Sequence, residues 1–223
     1  FVRDYLLSKS SCDVDICTNA LPKDLHKIFP NTGNSNNYGG FNLKVRKYNV
    51  DITTYRKELK YEKRKPTEIE YINNLLEDLN RRDFTINALC MNANDQIIDP
   101  LNAIKDINNH VIRMIGNSHE KITNDPLRIL RAIRFSTVLN FDIESNLLKE
   151  IKENAELVST LSGERIKEEV TKILLSPNYA KGLKLFEDLN LNRYLTLEYN
   201  HIIYTNDPLV MWAQIKRKKL QFI

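Results

Sequence analysis

The sequence is poor in cysteine and in long apolar runs, and each shortage excludes a class of protein. Its three cysteines cannot all pair, and their spacing matches no zinc-binding pattern. A disulfide framework is therefore not expected, and we predict a reducing, cytoplasmic compartment. The longest apolar runs are a handful of residues, far short of the ~20 that a membrane-spanning helix needs, so we also predict no membrane association.

Histidine clusters and a strong charge of one sign are also missing. The four histidines are scattered, and none lies four residues from another, which disfavours a histidine metal site. Lys and Arg outnumber Asp and Glu by 33 to 29, an excess that permits an anionic partner without demanding one. With 223 residues, of which 42% are hydrophobic and 28% charged, the chain has an ordinary globular composition and room for a domain with a smaller second part.

The periodicity of apolar residues changes along the chain. Alternation with period two predicts a strand at residues 13–16 and a β-hairpin at residues 41–54. We expect residues 1–7 to be the remainder of a strand that starts upstream, and residues 57–66 to form a charged, flexible loop. After Pro126 the apolar residues recur at helical spacing. The sequence thus predicts a mixed α/β head followed by an all-helical part.

Two aspartates occupy alternate positions of the first predicted strand. Asp13 and Asp15 point to one face of it, and Val14 and Ile16 face the core on the other. Adjacent carboxylates repel each other unless a cation lies between them, and oxygen ligands at this spacing suit Mg²⁺. The alternative is a pair of solvated acids at an exposed strand end. Asp51 points away from its apolar neighbours in the hairpin, so it is either a third carboxylate of the same site or an exposed acid.

Further motifs accompany these aspartates in a fixed order. They are Arg3-Asp4 before the pair, then Arg81-Arg82-Asp83-Phe84-Thr85-Ile86-Asn87-Ala88, Asp125-Pro126-Leu127-Arg128 with Arg131 and Arg134, and Gly163-Glu164-Arg165. With these motifs the sequence resembles the class II tRNA nucleotidyltransferases, which include CCA-adding enzymes and bacterial poly(A) polymerases and belong to the DNA polymerase β superfamily. The resemblance extends over most of the chain.

This resemblance implies an α+β fold. An N-terminal head like that of polymerase β, with a mixed sheet and helices, would be followed by an all-helical neck and the start of a helical body. The implied domains are a catalytic head at residues 1–118, a neck with a base-recognition helix at residues 119–175, and part of a body at residues 176–223.

The resemblance also implies a role for each candidate residue. Asp13 and Asp15 match the metal-binding pair, and with Asp51 they would bridge two Mg²⁺ ions. Glu164 and Arg165 match a motif that supports the neck helices. The residues that match nucleotide-binding positions are Arg3, Arg82, Asp83, Asn87, Asp125, Arg128, Arg131 and Arg134.

The pair Asp125 and Arg128 matches the motif that reads the incoming base. The two residues are i,i+3 neighbours on a helix, and a carboxylate beside a guanidinium can pair with the Watson–Crick edge of C or A. The alternative for Asp125 is an acid favoured by the helix dipole. Arg131 and Arg134 lie ~60° further round per step, so Arg134 must reach around to the same site or serve an inter-helix ion pair.

Three positions depart from the family pattern. The Gly-Gly pair expected before the first motif is absent, so we expect weaker triphosphate binding. Ala103 replaces a Gly of the third motif, and Asn124 replaces the Glu that precedes Asp125. In the family this Glu is a helix-capping or orienting group, and Asn can also cap a helix. No change removes a metal ligand or a base-reading group.

The implied activity is template-independent addition of CCA to the 3′ end of tRNA from CTP and ATP, with release of pyrophosphate. The implied partner is the 3′ end and acceptor arm of tRNA, whose backbone the basic residues of segment 57–65 would follow. A poly(A) polymerase, an A-adding or CC-adding partial enzyme and a non-catalytic RNA-binding relic stay open as alternatives. The loop expected at residues 56–66 disfavours a CC-only enzyme, and the repulsive pair Asp13 and Asp15 disfavours a relic.

Overall fold

The computed structural model describes residues 1–30, 40–62 and 65–217, and at residues 60–62, 65–66 and 217 it describes the backbone alone. The chain forms two compact units, Phe1–Ile104 and Lys105–Ile223. The finer division at residues 118 and 175 stays a prediction.

The first unit mixes strands with short helices. In chain order its elements are α1 (Val2–Leu6), β1 (Asp13–Thr18), α2 (Pro22–Ile28), β2 (Gly40–Val45), β3 (Tyr48–Thr54), β4 (Arg56–Glu62), β5 (Lys65–Tyr71), α3 (Leu75–Asn80), a 3₁₀ turn (Thr85–Asn87), β6 (Cys90–Met91) and β7 (Ile97–Ile98), and α4 (Ala103–Asn108) crosses into the second unit.

A three-stranded sheet organises this unit. Its order is β1-β3-β2, with β1 parallel and β2 antiparallel to β3, which confirms the predicted strand and hairpin. On one side of the sheet Phe41 and Ile52 are buried against Leu25 of α2. Because side chains alternate along a strand, the polar residues between them lie on the opposite face. The sheet therefore presents one apolar face to α2 and one polar face away from it.

Two expectations about this unit are wrong, and a third holds only in part. Residues 2–6 form a helix instead of a strand, with hydrogen bonds such as that from Tyr5 N to Phe1 O (2.9 Å). The prediction failed because periodicity cannot distinguish a helix from a strand in so short an apolar run. Ile16 lies on the apolar face, opposite the buried Ile52, but it is 44% exposed and is not part of the cluster of Leu25, Phe41 and Ile52. The expected loop at 57–66 is instead part of the antiparallel hairpin of β4 and β5.

Charge pairing explains that hairpin. Lys57 lies opposite Glu70 in the ladder, and within β4 the Arg56 guanidinium lies 3.2 Å from the Glu58 carboxylate. Opposite charges facing each other across two strands, as Lys57 and Glu70 do, stabilise the pairing, so a charged sequence need not be a loop. Residues 63–64 of this segment lie outside the described residues.

The second unit is predominantly helical, as the spacing after Pro126 predicts. Its elements after α4 are β8 (Val111–Ile112), α5 (Ser118–Asn124), α6 (Leu127–Leu139), β9 (Asp142–Ile143), α7 (Ser145–Glu153), a 3₁₀ segment (Ala155–Thr160), α8 (Gly163–Leu174), α9 (Tyr179–Asp188), α10 (Leu191–Leu195), β10 (Leu197–Glu198), α11 (Pro208–Ala213) and β11 (Lys216–Arg217). Two pairs of two-residue strands, β8 with β9 and β10 with β11, accompany the helices. Within the described part of the chain, no helix is long and apolar enough to cross a membrane.

Helix α6 is the centre of this unit. Ile129, Leu130 and Ile133 are fully buried on it, and α8 and α9 pack against it. The approach of α9 is close, because a Cβ on Gly182 would overlap Ile173 Cγ2 and lie 2.7 Å from Thr137 Oγ1. The helix ends at Asn140, which adopts a left-handed conformation (φ 57°) as a C-cap. This packing fixes the helix that carries Arg128 and that begins two residues after Asp125.

Candidate active site

The polar face of the three-stranded sheet carries the predicted metal ligands. Asp13 and Asp15 lie on β1, and the parallel register places Asp51 of β3 directly opposite Asp15. All three carboxylates are exposed. Residues opposite each other on neighbouring strands point to the same face, and their strands are ~4.8 Å apart. The fold therefore brings the three predicted carboxylates together on one surface, which we call the carboxylate face.

Two asparagines that the sequence analysis did not single out share the carboxylate face. The amide of Asn49 donates to Asp13 Oδ1 at 3.2 Å, and the amide of Asn42 donates to Asp51 Oδ1. Each asparagine lies opposite its aspartate in the sheet register. A residue-by-residue alignment of the predicted strand with the two strands of the predicted hairpin would have placed both asparagines beside their aspartates. Their amides orient two carboxylates without neutralising them.

The donors of the carboxylate face are all oxygen atoms. Over residues 1–30, 40–62 and 65–217, no group of three His, Cys, Asp or Glu side chains is close enough to enclose a metal ion. The three aspartates are therefore not gathered around a single ion, and a cation at this face would take part of its shell from water or from a ligand. Mg²⁺ is usually bound in this way, through one or two carboxylates and the phosphates of a substrate.

A hydrogen-bonded network joins four of the predicted nucleotide-binding residues. Arg3 Nη1 donates to Asn87 Oδ1 at 2.6 Å, and Asn87 Nδ2 donates to Asp83 Oδ1 at 3.0 Å. Arg82 Nη1 donates to the Asn87 carbonyl at 3.2 Å. Arg3 also forms an ion pair with Asp4 at 2.7 Å. Asn87 at the end of the 3₁₀ turn thus connects residues from α1 and from the Arg82-Asp83 segment.

Asp78 is a functional candidate that the sequence reasoning did not find. Its side chain is fully buried in α3, where it accepts from the backbone N–H of Arg56 at 3.1 Å. It also forms ion pairs with Arg81 at 2.8 Å and Arg82 at 3.4 Å. A buried carboxylate between two guanidinium groups fixes their positions. The signal in the sequence is the i,i+3 and i,i+4 spacing of Arg81 and Arg82 from Asp78 on a helix.

Two of the free cysteines meet beside this network. Cys17 of β1 and Cys90 of β6 place their sulfur atoms 3.6 Å apart. The hydrogen bond from Cys90, together with the charge of Arg82, lowers the pKa of Cys17 to about 7 against the effect of burial. For Cys90, the hydrogen bond to Cys17 and burial both raise the pKa of the thiol. The sequence separation of the two cysteines gave no signal of this contact.

In the second unit, the base-reading candidates lie where α5 meets α6. The Asp125 carboxylate accepts from Leu127 N at 3.3 Å, and Arg128 Nη1 donates to the Lys121 carbonyl at 2.6 Å. Both side chains are therefore held by backbone groups. Asn124 is the last residue of α5, and Asp125 accepts the N–H at the start of α6. The expectation that Asp125 and Arg128 are neighbours on one helix is wrong, because Asp125 is extended between the two helices.

The two later arginines of α6 contact the ring of Phe135. The Arg131 guanidinium lies 5.6 Å and the Arg134 guanidinium 3.9 Å from the ring centroid. Arg134 Nε also donates to the buried Glu169 of α8 at 2.5 Å. The inter-helix ion pair weighed as an alternative for Arg134 is thus present. A nucleotide contact by either arginine stays a prediction.

Similarity to known proteins places these residues in a family. Residues 1–113 match the family described as "Poly A polymerase head domain", and residues 140–202 match "Probable RNA and SrmB- binding site of polymerase A". The CCA-adding enzyme of Lactobacillus helveticus is 38% identical over 193 residues, which are 86% of this chain and 48% of that enzyme. The CCA-adding enzyme of Staphylococcus epidermidis is 33% identical over 222 residues, or 96% of this chain and 55% of that enzyme. The chain spans about half the length of the curated relatives it matches.

Solved structures agree with the sequence matches. The crystal structure of the Bacillus stearothermophilus CCA-adding enzyme in complex with CTP gives a TM-score of 0.79 at 35% identity, over 87% of this chain and 48% of that one. A tRNA nucleotidyltransferase complexed with a primer tRNA and an incoming ATP analog gives 0.73 at 29% identity, over 89% of this chain and 58% of that one. By its match over residues 1–113 and its nucleotidyltransferase relatives, the chain belongs to the poly A polymerase head-domain family.

Proposed function

We propose that this protein adds CCA to the 3′ end of tRNA, using CTP and ATP and releasing pyrophosphate. The observation that carries the proposal is the carboxylate face, on which the sheet register brings Asp13, Asp15 and Asp51 together. Three anions on one surface would repel the phosphates of a bound nucleic acid unless cations lie between them. Similarity to enzymes solved with CTP, and with an ATP analog and primer tRNA, supports the choice of substrates.

The carboxylate face fits Mg²⁺, because its donors are exposed carboxylate oxygen atoms, which Mg²⁺ binds one or two at a time together with water and substrate phosphates. Asp13 and Asp15 would hold the ion, and Asp51 is the candidate for a further ligand of a two-ion site. When bound, the metal supplies a lowered pKa for the RNA 3′-hydroxyl and charge stabilisation for the triphosphate. Asn49 and Asn42 would keep two of the carboxylates oriented through the bonds that they already make.

The arginine network would bind the triphosphate. The 3′ oxygen of the RNA forms a bond to the α-phosphorus, the bond to the β-phosphate breaks, and negative charge accumulates on the leaving pyrophosphate. Arg3 and Arg82 offer planar donor groups that match phosphate oxygens and would neutralise this charge. Asn87 links both arginines, and Asp83, bonded to Asn87, would contact the ribose side of the nucleotide.

Base choice is assigned to the start of α6. Asp125 would supply an acceptor and Arg128 donors to the Watson–Crick edge of C or A. The backbone groups that hold both side chains would keep them rigid, which favours selection over mere binding. Arg131 and Arg134 would contribute positive charge toward the phosphates, although Arg134 would first have to leave Glu169.

The test offers the full-length protein a tRNA that lacks its 3′ CCA, with Mg²⁺ and labelled CTP or ATP, separately and together. Addition of two C residues and then one A, with no further growth, is the expected result. Growth by A alone, without limit and without CTP, would assign a poly(A) polymerase, and addition limited to C or to A would assign a partial enzyme. Binding of tRNA without any incorporation would refute the enzymatic proposal and leave the RNA-binding relic.

A further inference from the structure

The pair Cys17 and Cys90 is a chemically reactive feature of the first unit that the proposed function does not use. Cys17 lies on β1 and Cys90 on β6, far apart in sequence, yet their sulfur atoms are 3.6 Å apart. Both thiols are only partly buried, so a small oxidant can reach them. We propose that Cys17 and Cys90 form a reversible intramolecular disulfide, and that this bond is a modification site that switches off nucleotide transfer.

The geometry allows the bond with a small movement. A disulfide requires sulfur atoms ~2.05 Å apart, so closure moves the two atoms together by about 1.5 Å from their contact distance. The two residues are carried by different strands, which means that side-chain rotation and a small strand shift can both contribute. Cys12 is the remaining cysteine, and it is exposed just before β1. Cys12 lies outside the strands and is not part of the sulfur contact, so it serves as the internal comparison.

The chemistry balances with a peroxide as the oxidant. One cysteine sulfur attacks an oxygen of hydrogen peroxide, the O–O bond breaks, and water leaves with the thiol proton to give a sulfenic acid. The second sulfur then attacks the sulfenic sulfur, the S–S bond forms, the S–O bond breaks, and a second water carries away the remaining thiol proton. Two thiols are oxidised by two electrons in total, and one peroxide is reduced to water. Thiol reductants reverse the bond by exchange.

The consequence for activity rests on the proposed function. Cys17 is two residues from Asp15 on β1, and Cys90 follows Asn87 of the arginine network by three residues. A bond between the two cysteines would couple the strand of the carboxylate face to the segment that holds Arg3 and Arg82. Misplacement of reacting groups by ~1 Å can cost a reaction ~100-fold. We therefore expect the oxidised protein to transfer nucleotides at least about tenfold more slowly.

The test oxidises the protein with hydrogen peroxide, blocks the remaining thiols, and identifies linked peptides by mass spectrometry without reduction. The expected result is a peptide that joins Cys17 to Cys90 and disappears with dithiothreitol, in the wild type and in Cys12→Ser alike. Cys17→Ser and Cys90→Ser should give no linked peptide. The disulfide is refuted if Cys17 and Cys90 of the wild type both still react with the alkylating reagent after Cys12 has been oxidised. This outcome does not depend on whether any variant folds.

Activity is measured on the same samples so that the two proposals can fail separately. Oxidation should slow CMP incorporation at least about tenfold in the wild type and in Cys12→Ser, with recovery after reduction, and should leave Cys90→Ser unaffected. A linked peptide with an unchanged rate overturns the switch. A reduced protein that incorporates no nucleotide refutes the proposed function and with it the switch, while the linked peptide still decides the disulfide.

Discussion

Replacement of Asp78 by alanine should destabilise the first unit by about 3–5 kcal/mol, because it removes one partner of a buried charge network. The carboxylate is fully buried and accepts from the Arg56 backbone at 3.1 Å, from Arg81 at 2.8 Å and from Arg82 at 3.4 Å. Its loss leaves partly buried guanidinium groups short of a countercharge. Asp78→Asn keeps the volume and an acceptor for the backbone bond, so it should cost less, about 1.5–3 kcal/mol.

Hydrogen exchange of α3 and of the 3₁₀ turn is the appropriate assay, since the chain has two units and a single unfolding transition is not assured. A loss of about 3 kcal/mol corresponds to exchange roughly 100-fold faster in the protected amides. Asp24→Ala is the control in the same unit, because Asp24 makes an exposed ion pair with Lys27 at 3.0 Å. That change should cost less than ~1 kcal/mol. Equal effects of Asp78→Ala and Asp24→Ala would refute the reasoning.

Three further outcomes follow from the packing and the charges. Phe41→Ala should lower the free energy of unfolding by about 3–5 kcal/mol, since the ring is fully buried under the sheet, and a loss below ~1 kcal/mol in urea unfolding would contradict this. Glu169→Gln should cost about 1.5–3 kcal/mol through the weakened bond to Arg134, and an unchanged melting temperature would contradict that ion pair. Iodoacetamide should label Cys17 faster as pH rises through about 7, where the thiolate forms. Cys90→Ala removes the donor and should shift that midpoint toward the usual ~8.5, and labelling with the same midpoint in both proteins would argue against the bond.

The sheet of the first unit could be predicted because its strands alternate. The period-two pattern around Asp13 and Asp15 and in residues 41–54 predicts strands with one polar and one apolar face, and the structure has both. Placing Asp51 beside Asp15 required the assumption that these strands are neighbours. The assumption holds because the hairpin supplies the strand that pairs with β1.

Other features depend on tertiary contacts that no local pattern encodes. Ile16 belongs to an alternating strand and lies opposite the buried Ile52, but its exposure is set by what packs over the sheet, which alternation does not encode. The hairpin of β4 and β5 is built from charged residues that resemble a loop until their pairing is known. Arg128 fits a base-reading motif, whereas its bond to the Lys121 carbonyl depends on how α5 meets α6. Sequence spacing identifies such residues, and packing determines what they contact.

Charge removal on β1 followed by a nucleotide-transfer assay tests the central claim most directly. Asp13→Asn and Asp15→Asn keep the shape of exposed side chains on the carboxylate face, so the fold and its thermal stability should be unchanged. With tRNA lacking CCA, Mg²⁺ and labelled CTP, each variant should incorporate CMP about 1,000-fold more slowly, which corresponds to about 4 kcal/mol of lost metal stabilisation of the transition state. Incorporation within about threefold of the wild-type rate in both variants would contradict the account.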